Sequence, residues 1–408
     1  MKTADPELMR AINRFHVMDA IRRHGPIARV EISDRTELSA TTVSAITAAL
    51  LDDRLIVTRQ EGAIRDAARG RPRVMLELNP DAAHVVGVKL SPHHITVAVT
   101  NFRADLLASL SLPIRLDRQP DAVILDLVED GIRRCVLDAG LDIEEIVGIC
   151  VGLPGVVERA GGVCRQSPVF RERNVPVAAG LKRRFPQAAV SIDSDVNLVT
   201  LAEHWFGDAR GLDDFLVVSV EHGLGLGILH NGELFRGANG LSPDLGDLTV
   251  RPPETSNAAR LASIASEAGI LAEAEVLLRG TEHERAFRLD RGMAKVLELA
   301  GAGDRAILAL LAGVGEALGF AIANLITLFA PPKVILAGAA MEAEAALLGP
   351  LRRTVAMLVP PSLADVAEIV VHRWSDDMWA RGAAAMTLRD LYGAPWGTTG
   401  PAPRPPPP

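Results

Sequence analysis

Residues 146–155 read Ile-Val-Gly-Ile-Cys-Val-Gly-Leu-Pro-Gly. The run Ile146–Val151 is short, β-branched and apolar, and Gly152-Leu153-Pro154-Gly155 stops it, which is the pattern of a buried strand feeding a turn. Upstream, His84–Leu90 and Ile95–Val99 read as paired strands, and Ala122–Ala139 as a helix. Downstream come a strand at Val190–Ile192, a helix at Val196–Trp205, a strand at Phe215–Val220 and a glycine-rich turn at Glu221–Gly227. Helices over Asn257–Leu278 and Asp304–Phe329 follow, then a strand at Lys333–Leu336 and a last helix at Ser375–Tyr392. Strands alternating with helices in this way predict an α/β fold built as two lobes. The proline-rich end, 394–408, is expected to be a solvated, disordered tail.

The chain has 408 residues, 48% apolar and 23% charged, which excludes a disordered protein or a small stapled scaffold. At roughly 100–200 residues per domain it has room for two to four. The net charge of −8 argues by itself against nucleic-acid binding, but the average hides a split. Residues 1–78 carry 13 Lys/Arg against 11 Asp/Glu, so the remainder holds a net −10. The three cysteines, Cys135, Cys150 and Cys164, form neither a C-x-x-C pair nor a disulfide framework, and a reducing cytoplasm is expected. Met1–Arg10 is charged and has no signal-peptide pattern. Ala306–Ala330 is long enough to cross a bilayer, but it contains Glu316 and Asn324 and runs into Pro331-Pro332. A buried core helix is the reading adopted, with no membrane partner.

The first 79 residues have their own pattern. Ile12, Phe15, Val17, Met18 and Ile21 fall near helical spacing until His24-Gly25-Pro26 stops them. A short helix fits Arg29–Thr36. Leu38-Ser39 then turns the chain, and Ser39 or Thr41 caps a third helix running to about Leu51. Its positions Val43, Ile46, Ala49 and Leu50 are expected to face inward, with Ser39, Thr41, Thr42, Ser44 and Thr47 on the other side. Two β-rich segments, Leu55–Gln60 and Val74–Leu78, complete a winged helix-turn-helix pattern. Small polar residues at the start of a recognition helix permit close approach to base edges, so Ser39, Thr41, Thr42 and Ser44 are the candidate major-groove contacts. The helix lacks Arg, Lys, Asn and Gln, so direct readout should be modest. The loop between the ribbon strands contains Arg69-Gly70-Arg71-Pro72-Arg73, which resembles the core of an AT-hook. Proline extends that backbone, glycine allows close approach, and arginine is drawn to a narrow A·T minor groove.

Several segments, in order, resemble the ROK family of repressors, open reading frames and kinases. They are the wing's Gly-Arg-Pro leading to Leu78-Asn79-Pro80, Gly148-Ile-Cys-Val-Gly-Leu-Pro-Gly155, Asp193-Ser-Asp-Val-Asn197 with Glu203, and Ser219-Val-Glu-His-Gly-Leu-Gly-Leu-Gly227. Asn231-Gly232 with Gly237, Asn324-Leu325 through Pro331-Pro332-Lys-Val-Ile-Leu-Ala-Gly338, and Arg381-Gly-Ala-Ala-Ala385 follow. The resemblance implies an actin/hexokinase-like (ribonuclease H-like) two-lobed fold behind the winged helix-turn-helix, and a sugar-responsive transcription factor or a sugar kinase.

The departures choose between these two. Kinases of the family open their first lobe with Asp-x-Gly-Gly-Thr, whose backbone wraps phosphates. This chain has Lys89-Leu90-Ser91-Pro92-His93 there, so the acid and both glycines are gone and Pro92 removes an N–H donor. The surviving Gly223-Leu224-Gly225-Leu226-Gly227 is expected to serve a tight strand-to-strand turn. No ATP chemistry, no catalytic residue and no cofactor is expected. His93-His94 reads as surface histidines. The family's structural zinc has a Gly-His, then Cys-x-Cys-Gly-x-x-Gly-Cys-Leu-Glu; by position the ligands become Asp247, Pro253, Thr255 and Arg260, so no metal is expected. In the sugar site the family's base corresponds to Asp195, its preceding Asn to Ser194, its Glu-x-Gly-His to Asp244 and Asp247, and its later Glu to Ala262.

The resulting expectation is a DNA-binding module at 1–79, a first lobe at 80–198 with 376–393, a second lobe at 199–375, and the tail. Gly155, Ser194, Asp195, Asp244 and Asp247 are the candidate effector-binding residues. Operator DNA and a sugar-like effector are the expected partners, with a homodimer or homotetramer as the assembly.

Overall fold

The computed structural model describes residues 6–60, 74–237, 240–242, 244–250, 258–290, 292–338, 340–341, 344–372 and 376–393. The arginine cluster Arg69, Gly70, Arg71 and Arg73, and the tail 394–408, lie outside them.

The N-terminal module contains α1 (Pro6–His24), β1 (Ile27–Ala28), α2 (Arg29–Thr36), α3 (Ala40–Asp52), β2 (Ile56–Gln60) and β3 (Val74–Leu78). Its sheet runs β1-β3-β2, antiparallel throughout, so the expected two-stranded ribbon has a third, two-residue strand. Val17, Ile21, Ile32, Val43, Leu50 and Leu76 close its core. The third helix faces differently from the expectation at two places. Thr47 is buried and Ala49 is exposed. At about 100° per residue, position 47 shares a stripe with 43 and 50, whereas 49 points away. The Thr47 hydroxyl is satisfied there, donating to Val43 O at 2.8 Å and accepting from Arg29 Nε at 2.8 Å.

The first lobe contains β4 (His84–Leu90), β5 (His94–Thr100), β6 (Leu106–Pro113), α4 (Asp121–Asp138), β7 (Ile146–Leu153), β8 (Val156–Glu158), β9 (Val163–Gln166), α5 (Val177–Arg184) and β10 (Ala189–Ser194). Its five-stranded sheet has the order β10-β7-β4-β5-β6. The apolar run Ile146–Leu153 is β7, at the second position and parallel to both neighbours. Strands buried on both faces need apolar side chains at successive positions, which is why β7 is not alternating. The edge strand β6 alternates half-buried and exposed residues, and that weaker apolar signal hid it from the sequence.

The helix α6 (Asp195–Phe206) follows β10 directly. The second lobe contains β11 (Phe215–Val220), β12 (Leu224–His230), β13 (Glu233–Leu234), β14 (Thr249–Val250), β15 (Ala259–Arg260), α7 (Leu261–Ala265), α8 (Glu267–Leu277), α9 (Glu284–Leu289), α10 (Met293–Gly301), α11 (Arg305–Phe329), β16 (Lys333–Ala337), α12 (Glu344–Leu358) and β17 (Glu368–Val371). Its sheet has the order β13-β12-β11-β16-β17. The apolar stretch read as a core helix is α11, whose Ile307, Leu311, Val314, Leu318 and Ile322 are buried in the lobe. The single helix expected over 257–278 is two helices. Ser266 separates them: its Oγ donates to Ala262 O and accepts from Gly269 N at 3.1 Å, capping α8.

The final helix, α13 (Asp376–Leu391), returns to the first lobe and packs on β4, β5 and β7. It lies against α6, and these two helices fill the space between the lobes. The close approach explains part of the glycine pattern. A Cβ on Gly382 would sit 2.1 Å from Leu198 O, and one on Gly227 would sit 1.8 Å from Thr200 Oγ1. Gly225 and Gly227 are therefore strand residues under α6, and the turn is confined to 221–223. The expectation that these glycines serve a tight turn is corrected: they admit a helix.

Candidate functional site

A cleft of about 640 Å³ opens between the lobes. Gly155, Ser194, Asp195, Asp244 and Asp247 all line it, although they come from three separate chain segments. Gly155 has φ +101°, and a Cβ there would meet Gln166 O at 2.3 Å, so only glycine fits this wall. Ser194 ends β10 and is the N-cap of α6, and Asp195 is the helix's first residue. The Asp195 carboxylate accepts from Val196 N at 2.7 Å, so it does act as a helix-start residue while facing the cleft. Burial, then the nearby Glu221 carboxylate, push its pKa up to about 7, although the Lys89 ammonium pulls the other way.

Asp244 turns the loop over the cleft, accepting from Gly246 N at 2.9 Å and Asp247 N at 3.3 Å. The other Asp244 oxygen and the Asp195 carboxylate give the cleft acceptors for hydroxyl groups. Residues that the sequence did not single out also line it: Ser91, Gln166, Ser219, Glu221, His222 and Ser242. Three arginines, Arg118, Arg171 and Arg173, stand at the lip. Ser91, Ser219, Glu221 and His222 lie in the quoted family segments without a site role having been assigned to them, whereas Gln166, Ser242 and the three arginines lie in none, so spacing gave no signal for those five.

Beneath the cleft a buried ion network ties the lobes. Arg159 bonds Asp193 at 3.4 Å and Asp390 at 2.7 Å, while Arg236 reaches Asp193 from the second lobe. Burial alone would raise the pKa of Asp193, but the Arg236 and Arg159 guanidinium groups hold it below the usual carboxylate range. Asn197 joins them, donating to Asp193 at 2.8 Å and to Ser242 Oγ at 2.6 Å.

The phosphate-loop position is occupied in a different way. Lys89 is 5% exposed at the end of β4. Its Nζ lies 3.3 Å from Glu221 Oε2 and 4.0 Å over the ring of Trp379. An ammonium, a carboxylate and an indole now hold this corner through mutual contacts. The turn after it is closed by Ser91, whose Oγ accepts from His93 N and His94 N, and both histidines are exposed.

Two of the four zinc-equivalent positions are described. Asp247 and Arg260 form an ion pair at 2.7 Å, each more than 60% exposed, beside the β14–β15 pairing. A guanidinium cation cannot ligate Zn²⁺, so this donor set does not fit the metal. Pro253 and Thr255 lie outside the described residues.

In the N-terminal module, Ser39 caps α3, accepting from Thr42 N at 3.1 Å, and its Oγ meets Thr42 Oγ1 at 2.8 Å. Thr41 and Ser44 are exposed beside them. All four sit at the solvent-facing start of α3. Arg59 in β2 is 62% exposed and pairs with Glu77 at 3.4 Å.

Comparison with known proteins agrees with this architecture. The ROK family model matches residues 85–390. A xylose repressor from Caldicellulosiruptor bescii is 26% identical over 396 residues, covering 95% of this chain and 98% of its own. The DNA-binding transcriptional dual regulator NagC of Escherichia coli K12 is 28% identical over 346 residues, 84% of each chain. The crystal structure of a ROK family transcriptional regulator, a homolog of the E. coli MLC protein, superposes with a TM-score of 0.78 at 24% identity, covering 95% of this chain and 97% of that one. A ROK glucokinase from Streptomyces griseus, solved with glucose and AMPPNP, gives 0.61 at 21% identity over 74% of this chain and 99% of its own. The larger match includes the N-terminal module and the smaller one does not reach the whole chain. With the family model spanning three quarters of its length and both lobes in place, the chain belongs to the ROK family.

Proposed function

We propose that this chain is a cytoplasmic transcriptional regulator, acting as a repressor of carbohydrate-related genes, whose grip on operator DNA is set by a sugar or sugar derivative in the inter-lobe cleft. Residues 1–79 supply the DNA-binding module; 80–198 with 376–393 form the first lobe and 199–375 the second. The single observation that carries the reading is the junction of an exposed, hydroxyl-lined α3 with a cleft whose phosphate corner is filled by the Lys89–Glu221–Trp379 contact. A cleft that keeps its hydroxyl acceptors and fills its phosphate corner suits binding without phosphoryl transfer. Ser39, Thr41, Thr42 and Ser44 meet the major groove, and Arg69, Gly70, Arg71 and Arg73 the minor groove. Gly155, Ser194, Asp195, Asp244 and Asp247 hold the effector. One module covers a short half-site, so a symmetric dimer or tetramer doubles the contact. The names of two relatives, the xylose repressor and an N-acetylglucosamine repressor of E. coli O6:H1 that is 28% identical over 346 residues, make xylose and N-acetylglucosamine the first effectors to try.

A duplex selected by the protein from a random-sequence pool serves as operator. Titration with a sugar panel, followed by fluorescence anisotropy of that duplex, should show release by at least one sugar, which must also raise the melting temperature by mass action. Neither release nor stabilisation by any sugar leaves an effector-independent DNA-binding protein. A fused sugar kinase is the second reading, favoured by Asp195, which keeps the kinase base's place in the cleft. Turnover of Mg·ATP with a sugar, lost in Asp195→Asn, would establish it in place of the pure regulator.

A further inference from the structure

We propose that α6 is the mechanical link by which the cleft addresses the DNA-binding module. This inference rests on the regulator reading above and names its route. The first residues of α6, Asp195 and Val196, line the cleft, and its N-cap Ser194 does too. Its last turn is where the N-terminal module, the first lobe and the second lobe meet. Arg22 of α1 lies 4.2 Å over the ring of Trp205, and that ring is stacked on Tyr392, just past α13, at 5.6 Å and 2°. Arg23 Nη2 lies 3.0 Å from Nε2 of His204, and it reaches Asp213 at 3.3 Å. Arg210, just past the helix, donates to Arg23 O at 3.0 Å. Glu203 is fully buried and holds His372, which follows β17 of the second lobe. Three consecutive side chains of one helix therefore engage three different bodies.

The helix between these ends has no slack. Val196–Trp205 is buried at every residue. Its 12 residues span about 18 Å at 1.5 Å per residue. Backbone close approaches at Gly227 and Gly382 clamp it on two sides. A packed helix moves as a unit, so a shift or rotation imposed at Ser194–Asp195 reappears at His204–Trp205. The partners at that end are charge-assisted. Asp19 pairs with both Arg22, at 2.7 Å, and Arg23, at 2.6 Å, so the two arginines are held as one bracket against α6. Moving Trp205 and His204 breaks or re-forms both contacts together, which is the two-state behaviour a switch needs. The Arg159–Asp193–Arg236 network anchors the same helix start to both lobes. A change in lobe closure therefore reaches α6 even where the ligand does not touch it.

The test is a double-mutant cycle on DNA affinity in the full-length protein, and it needs no effector. Asp195→Ala perturbs the cleft end. Arg22→Met keeps the buried stem and removes the charge over Trp205. Kd for the selected duplex is measured for both single variants, the double variant and the parent. The expected result is a double-variant Kd that departs by about threefold or more from the product of the single effects, beyond the scatter of independent sites. Arg14→Ala, which breaks the Arg14–Asp53 pair inside the same module away from α6, should combine multiplicatively with Asp195→Ala. Multiplicative behaviour for Arg22→Met, or coupling as large for Arg14→Ala, overturns the link. Should Arg22→Met lose its cooperative melt, Arg23→Gln replaces it, since it removes the guanidinium that reaches His204 and Asp213 and keeps a polar side chain. A coupled cycle in a protein that no sugar releases from DNA would keep the link and discard the effector reading. A sugar-responsive protein with an uncoupled cycle does the reverse.

Discussion

Asp195→Asn tests the electrostatic state of the cleft. The Asp195 carboxyl, ordinarily near 3.8, stands at about 7 in the folded chain. The folded protein therefore binds a proton more tightly than the unfolded chain. Its stability contribution is fully present below pH ~4 and is lost as pH rises toward ~7, after which it is flat. A shift of this size corresponds to about 4 kcal/mol at 1.36 kcal/mol per unit. Asp195 is half-buried and faces a cleft open to solvent, so screening lowers this to about 1–3 kcal/mol. Asparagine has nearly the same shape and no charge. The substitution should stabilise the protein by that amount above pH 7, with about a third of the gain at pH 5 and almost none at pH 4. Urea unfolding of parent and variant at pH 5, 6, 7 and 8 measures the difference, and other titrating groups cancel in it. Equal slopes with pH for the two proteins would refute the burial and Glu221 argument. The same logic applies to ligands. A sugar hydroxyl donates more strongly to the ionised Asp195 carboxylate than to the neutral acid, so affinity should rise with pH up to about 7 and level off above it. Asp195→Asn should flatten that profile.

Gly227→Val should cost about 1–3 kcal/mol by overpacking, because its Cβ would lie 1.8 Å from Thr200 Oγ1. Adding Thr200→Ala should recover part of the melting temperature, and no recovery would move the strain elsewhere. Arg71→Ala should weaken operator binding, reduce the slope of log K against log salt by about 1, and lower the preference for A·T sequence beside the helix site. Unchanged binding removes the wing from the interface and leaves α3 alone. Elemental analysis of the purified protein should find no stoichiometric zinc, and chelator should leave the melting temperature unchanged; a 1:1 zinc content contradicts the Asp247–Arg260 pairing as the occupant of that corner.

The order of apolar runs and turn residues determined the architecture. β7 reads as a buried strand because parallel strands need unbroken apolar runs. α3 reads as a capped helix because Ser39 provides the cap at its N-terminus, and α11 reads as a core helix because a long apolar segment with Glu316 and Asn324 must still fold inward on one face. Ordered motifs singled out Ser194, Asp195, Asp244, Asp247 and Gly155, and all five line the same cleft. Local reading failed where a residue's partner is distant in the chain. Thr47 looks like a surface hydroxyl until Arg29 and Val43 satisfy it inside. Gly225 and Gly227 look like a phosphate or hairpin turn until Val196 and Thr200 of α6 press on them. The edge strand β6 has no pattern strong enough to show without its neighbour β5.

Substitution of single family positions was legible too, but its consequence was not. Lys89 could be seen as the loss of an acid. That its ammonium turns onto Glu221 and Trp379, 132 and 290 residues later, is a property of packing. The junction at the end of α6 is the same kind of fact. Arg22, Trp205 and Tyr392 carry no shared motif and sit in three separate parts of the chain, and no periodicity links them. Short-range periodicity is fixed by backbone geometry and is written in neighbouring residues, so sequence determined the elements and their order. Cation–ring stacking, ion pairs between lobes and glycine close approaches depend on how those elements pack, and only the tertiary structure decided them.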